Sequence, residues 1–190
     1  GYTYEDIANM GGGIQTTVEA TCAASDTQLI ESCVNRLEDF LEYGVTSLEA
    51  KTGYGDTIEE EIRHLILLKE VEKKVDQKVV ITCLPLHTPP RNKLSSVYID
   101  EVISKLLPEV AQKKLASYVD MFLEKNYFSY AECNRLAEKA SELKLPIRVH
   151  ADEFSNSGGA KLAAKWKAAS ADHLQYATES DCKLLAKSNT

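Results

Sequence analysis

The chain has no run of Lys or Arg long enough to neutralise several phosphates, and its formal charge is −7, from 29 acidic and 22 basic residues. That balance argues against a general nucleic-acid binder and favours a small-molecule partner over a polyanion. Long apolar runs are missing too: stretches such as Leu65–Leu68 are far too short to span a bilayer, and no charged-then-apolar leader opens the sequence. The expectation is a cytoplasmic protein with no membrane partner. No C-x-x-C pair occurs among the five cysteines, Cys22, Cys33, Cys83, Cys133 and Cys182, whose number is odd and whose spacing is wide. Reduced thiols used mostly as small core residues fit that pattern better than a metal or redox role. Gly11-Gly12-Gly13 lacks the Lys-Ser/Thr ending of a phosphate loop and follows no strand-like run, which leaves a flexible turn or a substrate-covering loop.

What is present describes one globular domain: 190 residues, 44% hydrophobic and 27% charged. Ser25 with Gln28 makes a capping box, and an apolar stripe follows through Leu29, Ile30, Cys33, Val34, Leu37, Phe40 and Leu41 to Gly44. Thr57 with Glu60 and Ser129 with Glu132 open two further helices in the same way. Val97–Leu107 also fits a helix, with Pro108 ending it or starting the next turn. Between these lie β-prone runs at Val45–Ala50, Lys78–Leu84, Tyr118–Leu123, Ile147–His150 and, more weakly, Ala169–Asp172. Strands separated by whole helices cannot be hairpins, so the expected class is α/β with parallel neighbours.

Polar residues gather where these strands end: Glu49 to Tyr54 at the first, His87 at the second, Glu124-Lys125-Asn126 at the third, His150-Ala151-Asp152-Glu153 at the fourth and Asp172-His173 at the fifth. Active sites of parallel α/β folds form on that face. Neutral imidazole binds Zn or Fe, and a nearby carboxylate moves protons, so His150 followed by Asp152-Glu153 suits a metal ligand with a proton carrier. His173 would face His150 from the next strand, although Asp172-His173 also suits a surface turn or a helix cap. Tyr54, between Gly53 and Gly55, either covers a tight turn or offers a phenol to a ligand. His87 stands before the stiff Thr88-Pro89-Pro90 loop, which fixes its position without naming its role. His64 reads as an ordinary helix-face residue.

Gly1–Ser25, Gly44–Gly55 (G-V-T-S-L-E-A-K-T-G-Y-G), Leu106–Leu115 (L-L-P-E-V-A-Q-K-K-L), Val149–Gly159 (V-H-A-D-E-F-S-N-S-G-G) and Ser170–Leu174 together resemble the imidazolonepropionase family of the metal-dependent amidohydrolase superfamily. The resemblance implies a (β/α)8 TIM barrel that uses water to open the ring of 4-imidazolone-5-propanoate, giving N-formimino-L-glutamate in histidine degradation. It implies that His150 ligates the metal, Zn or Fe. Glu153 would contact the substrate and shuttle protons, His173 would lie beside the reactive water, and Tyr54 and His87 would contact the substrate.

The chain departs from that pattern in having no His-x-His pair and no strand-ending Asp after His173. Cys22 stands where the family usually has Arg, and Pro85-Leu86 precede His87. A closed barrel takes about 250 residues, so residues 1–190 are expected to form one incomplete barrel domain of five to six βα units. The first strand and the last two would be missing. Exposed strand edges would then have to be covered by a partner, such as a second copy of the chain, or by rearrangement. With one histidine ligand, such a piece is expected to hold metal poorly and to be inactive or nearly so. Another amidohydrolase, for example a ring-amidine deaminase, and a non-catalytic α/β domain remain as alternative readings.

Overall fold

A computed structural model describes residues 13–90 and 93–190. Gly11 and Gly12 of the glycine run, and the stretch Gly1–Met10 that contributed to the family resemblance, lie outside the described residues. The elements in chain order are α1 (Ile14–Ala23), α2 (Asp26–Glu42), β1 (Ser47–Lys51), α3 (Ile58–Glu72), β2 (Lys78–Leu86), α4 (Ser95–Glu101), α5 (Leu107–Lys113), β3 (Tyr118–Leu123), α6 (Tyr130–Glu142), β4 (Arg148–Ala151), α7 (Gly159–Trp166), β5 (Ser170–His173) and α8 (Glu179–Leu185).

Helix starts are chemically explicit. Ser25, Ser129 and Thr178 each accept a hydrogen bond from the backbone of the third helical residue, while Gln28, Glu132 and Asp181 return a bond to the capping residue. Between α4 and α5 the backbone passes through a wide π turn at Val102–Leu106. The expected helix at Val97–Leu107 is therefore part of a longer helical run. Pro108 sits in the first turn of α5, and the wide turn relieves the clash its ring would make with the preceding turn of a regular helix. Lys114, in the left-handed conformation, ends the run.

The five strands form one sheet in the order β1-β2-β3-β4-β5, every neighbour parallel. It is strongly curled. Four strand spacings span about 19 Å in a flat sheet, more than a Lys and an Asp side chain can bridge, yet Lys51 Nζ of β1 lies 3.4 Å from Asp172 Oδ2 of β5. The result is a half-barrel with helices outside.

Alternation along the strands divides the two faces. Val79, Ile81, Cys83, Val119, Met121, Leu123, Val149 and Ala151 belong to the buried apolar core, whose other members include Leu65 of α3, Val102 and Leu106 of the wide turn, Val110 of α5, Leu136 of α6 and Leu162 of α7. The concave face carries Glu49, Lys51, Thr82, Asp120, Arg148, His150 and Asp172 instead, linked to one another by hydrogen bonds and ion pairs. Burying roughly 25 cal/mol per Å2 of apolar surface, the convex layer supplies the stability while the concave layer stays available for chemistry.

Two expectations change. His64 is not an ordinary surface residue of its helix: it is buried on α3, because its side chain faces the packed side toward Leu67 and Val71 rather than water. All five cysteines are free thiols. Cys83 and Cys133 are core residues and Cys22 and Cys33 are half-buried, but Cys182 is exposed on the short final helix.

Candidate functional site

Asp120 is the centre of the charged cluster on the concave face. It is fully buried in the middle of β3, and its carboxylate takes a hydrogen bond from Lys51 Nζ at 2.6 Å. Nδ1 of His150 lies 3.2 Å from Oδ1 and 3.1 Å from Oδ2 of the same group. A carboxylate only accepts, so Nδ1 carries a proton, and it is the Nε2 of the neutral imidazole that offers a lone pair. Burial alone would raise the Asp120 pKa, but His150 and the Lys51 ammonium outweigh it and hold the carboxyl below its ordinary value. Burial would likewise lower the pKa of Lys51, and Asp120, Glu49 and Asp172 together raise it instead.

Asp120, His150 and Asp172 offer three ligand atoms within 4.8 Å of one another. This donor set fits a metal ion. A carboxylate behind an imidazole, fixing its tautomer, is the usual support of a metal-binding histidine. Lys51 already pairs with Asp120 and Asp172, whereas Nε2 of His150 lies on the opposite side of the ring from Asp120. Deeper in the half-barrel, Arg148 Nε lies 3.0 Å from Glu49 Oε1, the guanidinium covers the Tyr118 ring at 4.2 Å, and Arg148 Nη1 donates to Ser170.

At the mouth the remaining groups form a continuous chain. The rings of Tyr54 and His87 are 5.3 Å apart, those of His87 and His150 6.3 Å, and those of His150 and His173 5.3 Å. His173 Nε2 then lies 3.4 Å from Glu153 Oε2. Gly53 O is 3.1 Å from His87 Nδ1, which must carry the proton to donate there. Burial pushes the His87 pKa down to about 4, so near neutral pH this imidazole is uncharged and its Nε2 is an acceptor.

Two acidic residues hold the loop after β4. Glu124, at the end of β3, accepts from the backbone of Phe154 and Ser155 and from the hydroxyls of Ser155 and Ser157. Asp152 adopts a positive φ of 52° and accepts from the backbone N–H groups of Ser157, Gly158, Gly159 and Ala160, so it anchors the start of α7. Glu153 follows Asp152 and precedes Phe154, whose amide Glu124 holds. His173 also has a positive φ, 74°, a costly backbone that orients the residue ending β5.

The sequence-predicted residues Tyr54, His87, His150, Glu153 and His173 thus share one mouth. Asp120 escaped the sequence reading, which placed the polar groups of the third strand at Glu124-Lys125-Asn126; Lys51 and Asp172 were among its strand-end polar residues, but not their pairing with Asp120. The available signal was an acidic residue at an alternating position inside the apolar run Tyr118–Leu123. A separate cleft of about 300 Å3 runs along the open edge of β1, lined by Thr17, Leu29, Cys33, Tyr54, His64 and Leu67 among others. It reaches Tyr54 from the helix side and does not include His150 or Glu153.

Fold and site together define a parallel βα half-barrel with a candidate metal centre at the carboxyl ends of its strands. Along its whole length the chain is a relative of the imidazolonepropionases. It is 43% identical over 192 residues to imidazolonepropionase of Yersinia enterocolitica and 41% identical to that of Acinetobacter baumannii, with 100% of the chain aligned to 47% and 48% of those proteins. The Yersinia pseudotuberculosis imidazolonepropionase is likewise 43% identical, with 47% of its length covered. The chain spans about half the length of the curated relatives it matches. No family model matches it. Among the described residues, no helix is long and apolar enough to cross a membrane.

Proposed function

We propose that this chain carries the central part of an imidazolonepropionase site of the amidohydrolase type, in which water opens the ring of 4-imidazolone-5-propanoate to give N-formimino-L-glutamate. The observation that carries the reading is the continuous chain Tyr54, His87, His150, His173 and Glu153, in a sequence 41–43% identical throughout to proteins of that name.

His150 would hold Zn or Fe through Nε2, with Asp120 fixing its tautomer. Such an ion supplies hydroxide near neutral pH and polarises the ring carbonyl under attack. Glu153 and His173, 3.4 Å apart, take up the proton of the attacking water and return it to the departing ring nitrogen. Neutral His87 accepts a hydrogen bond from a ring N–H, and the Tyr54 phenol donates to the substrate. The loop anchors Glu124 and Asp152 fix Glu153 before substrate arrives, which lowers the entropic part of the barrier.

The test exchanges this chain for the matching segment of the Yersinia enterocolitica relative and assays formation of N-formimino-L-glutamate. Turnover by the chimera, lost in His150→Ala and Glu153→Gln, supports the reading. A chimera that folds by circular dichroism yet turns over nothing, or that deaminates aminated pyrimidines instead, overturns it.

A further inference from the structure

Glu61 is fully buried on α3 and takes no part in the charged cluster of the concave face. Its carboxylate reaches out of the helix into the loop after β1. Oε1 accepts from Gly53 N at 3.0 Å and Gly55 N at 2.7 Å, and Oε2 lies 3.2 Å from Gly53 N. In the same loop the Thr52 hydroxyl oxygen accepts from Leu84 N at 3.1 Å. Tyr54 is the residue between the two clamped amides.

The same loop meets His87. Gly53 has φ +105°, and a Cβ there would lie 2.7 Å from Leu84 O and 2.9 Å from His87 Cβ. Its carbonyl accepts from His87 Nδ1. At Gly55 a Cβ would lie 2.7 Å from Glu61 N and 2.9 Å from Glu61 Oε1. Glu61, the two glycines, Tyr54 and His87 therefore form one packed unit, in which the acid ties both glycine amides to the helix layer.

We infer that Glu61 is the positioning residue of the loop, setting the Tyr54 phenol and the His87 tautomer that face the substrate. It acts through backbone amides and touches no reacting atom. The inference rests on the substrate-facing roles proposed for Tyr54 and His87. Burial pushes the Glu61 pKa up to about 7, in surroundings that include Glu60 on its own helix, Cys83 of β2, Tyr98 of α4 and Cys22 of α1. The Gly53 and Gly55 amides oppose that rise, because N–H donors favour the charged carboxylate.

The experiment follows the imidazole nitrogens of His87 by NMR in the metal-stripped chain, for wild type, Glu61→Ala and Glu61→Gln, and titrates each with 3-(imidazol-4-yl)propanoate. Wild type should show the Nδ1-protonated tautomer. Glu61→Ala should shift population to the Nε2-protonated form, raise the His87 pKa by about one unit or more as it gains solvent, and weaken the ligand by about tenfold. Glu61→Gln keeps an acceptor oxygen and should restore the tautomer, which a role in packing volume alone would not require. An unchanged His87 tautomer and pKa in folded Glu61→Ala overturns the inference. If Glu61→Ala does not fold, loss of the tautomer in folded Glu61→Gln does so. If Glu61→Ala shifts the tautomer but the wild-type chain binds no ligand, the result counts against the proposed function and leaves the positioning role standing.

Discussion

Asp120 and His150 stand on adjacent strands with the carboxylate 3.1 Å behind the imidazole Nδ1, so the acid decides which nitrogen of the histidine faces the mouth. Asp120→Asn keeps the shape but replaces one acceptor oxygen by a donor. Metal affinity should fall about 10- to 100-fold, as measured by competition with a chromophoric chelator. Equal affinities for Asn and Asp would show that the tautomer is fixed by something else.

Removing the acid altogether tests its other partner. Asp120→Ala leaves the half-buried Lys51 ammonium with only the longer contacts to Glu49 and Asp172. Urea unfolding should show a loss of about 3 kcal/mol, recovered in part by Lys51→Met in the same background.

Glu61 gives the chain a pH dependence of stability. Its folded pKa of about 7 lies above the ordinary 4.5, so between these values the folded state binds more proton than the unfolded one. Stability from this group therefore falls as pH rises from 4.5 to 7 and is level above. The full change is about 3 kcal/mol. Urea midpoints of wild type and Glu61→Gln, compared from pH 4.5 to 8, should differ in slope within that window alone, and parallel curves would contradict the assignment.

Asp152 takes four backbone N–H groups at the start of α7. Asp152→Ala should cost about 2 kcal/mol through the lost cap and the unpaired amides. Asp152→Asn should cost less, since Asn tolerates the left-handed backbone and retains one acceptor oxygen. Thermal unfolding of the pair provides the comparison.

Gly53→Ala places a methyl 2.7 Å from Leu84 O on a backbone with φ +105°. The expected loss is about 2 kcal/mol, together with displacement of His87 that NMR would register. An ordinary surface-loop response would show neither.

Much of the fold was legible because local rules and tertiary structure agree. Ser25/Gln28 and Ser129/Glu132 are capping boxes in sequence and in space, and Tyr118–Leu123 has the bounds its β-prone composition gives. The mouth residues were legible as strand-end polar groups. Asp120 was not, because a charged residue inside a strand that curls around a polar interior is masked by its apolar neighbours Val119 and Met121. Glu61, and the loop-anchoring role of Glu124, were hidden for a different reason. Each lies where acids are ordinarily solvated, in the first turn of a helix and just past a strand, and only the returning loops show that they are enclosed. Likewise, Pro108 marked a break in the helix, but its accommodation by a wide turn depends on the packing of α4 and α5.

The curled sheet keeps its oily side against the helices and its ionic side toward the axis, so folding and reactivity are written on alternate residues of the same strands. Substitutions at Val119 or Met121 bear on whether the chain folds, and those at Asp120 on what its concave face can do. Neighbouring residues along β3 thus answer to separate physical demands, so an inward side chain can change its chemistry while the apolar wall behind it stays packed.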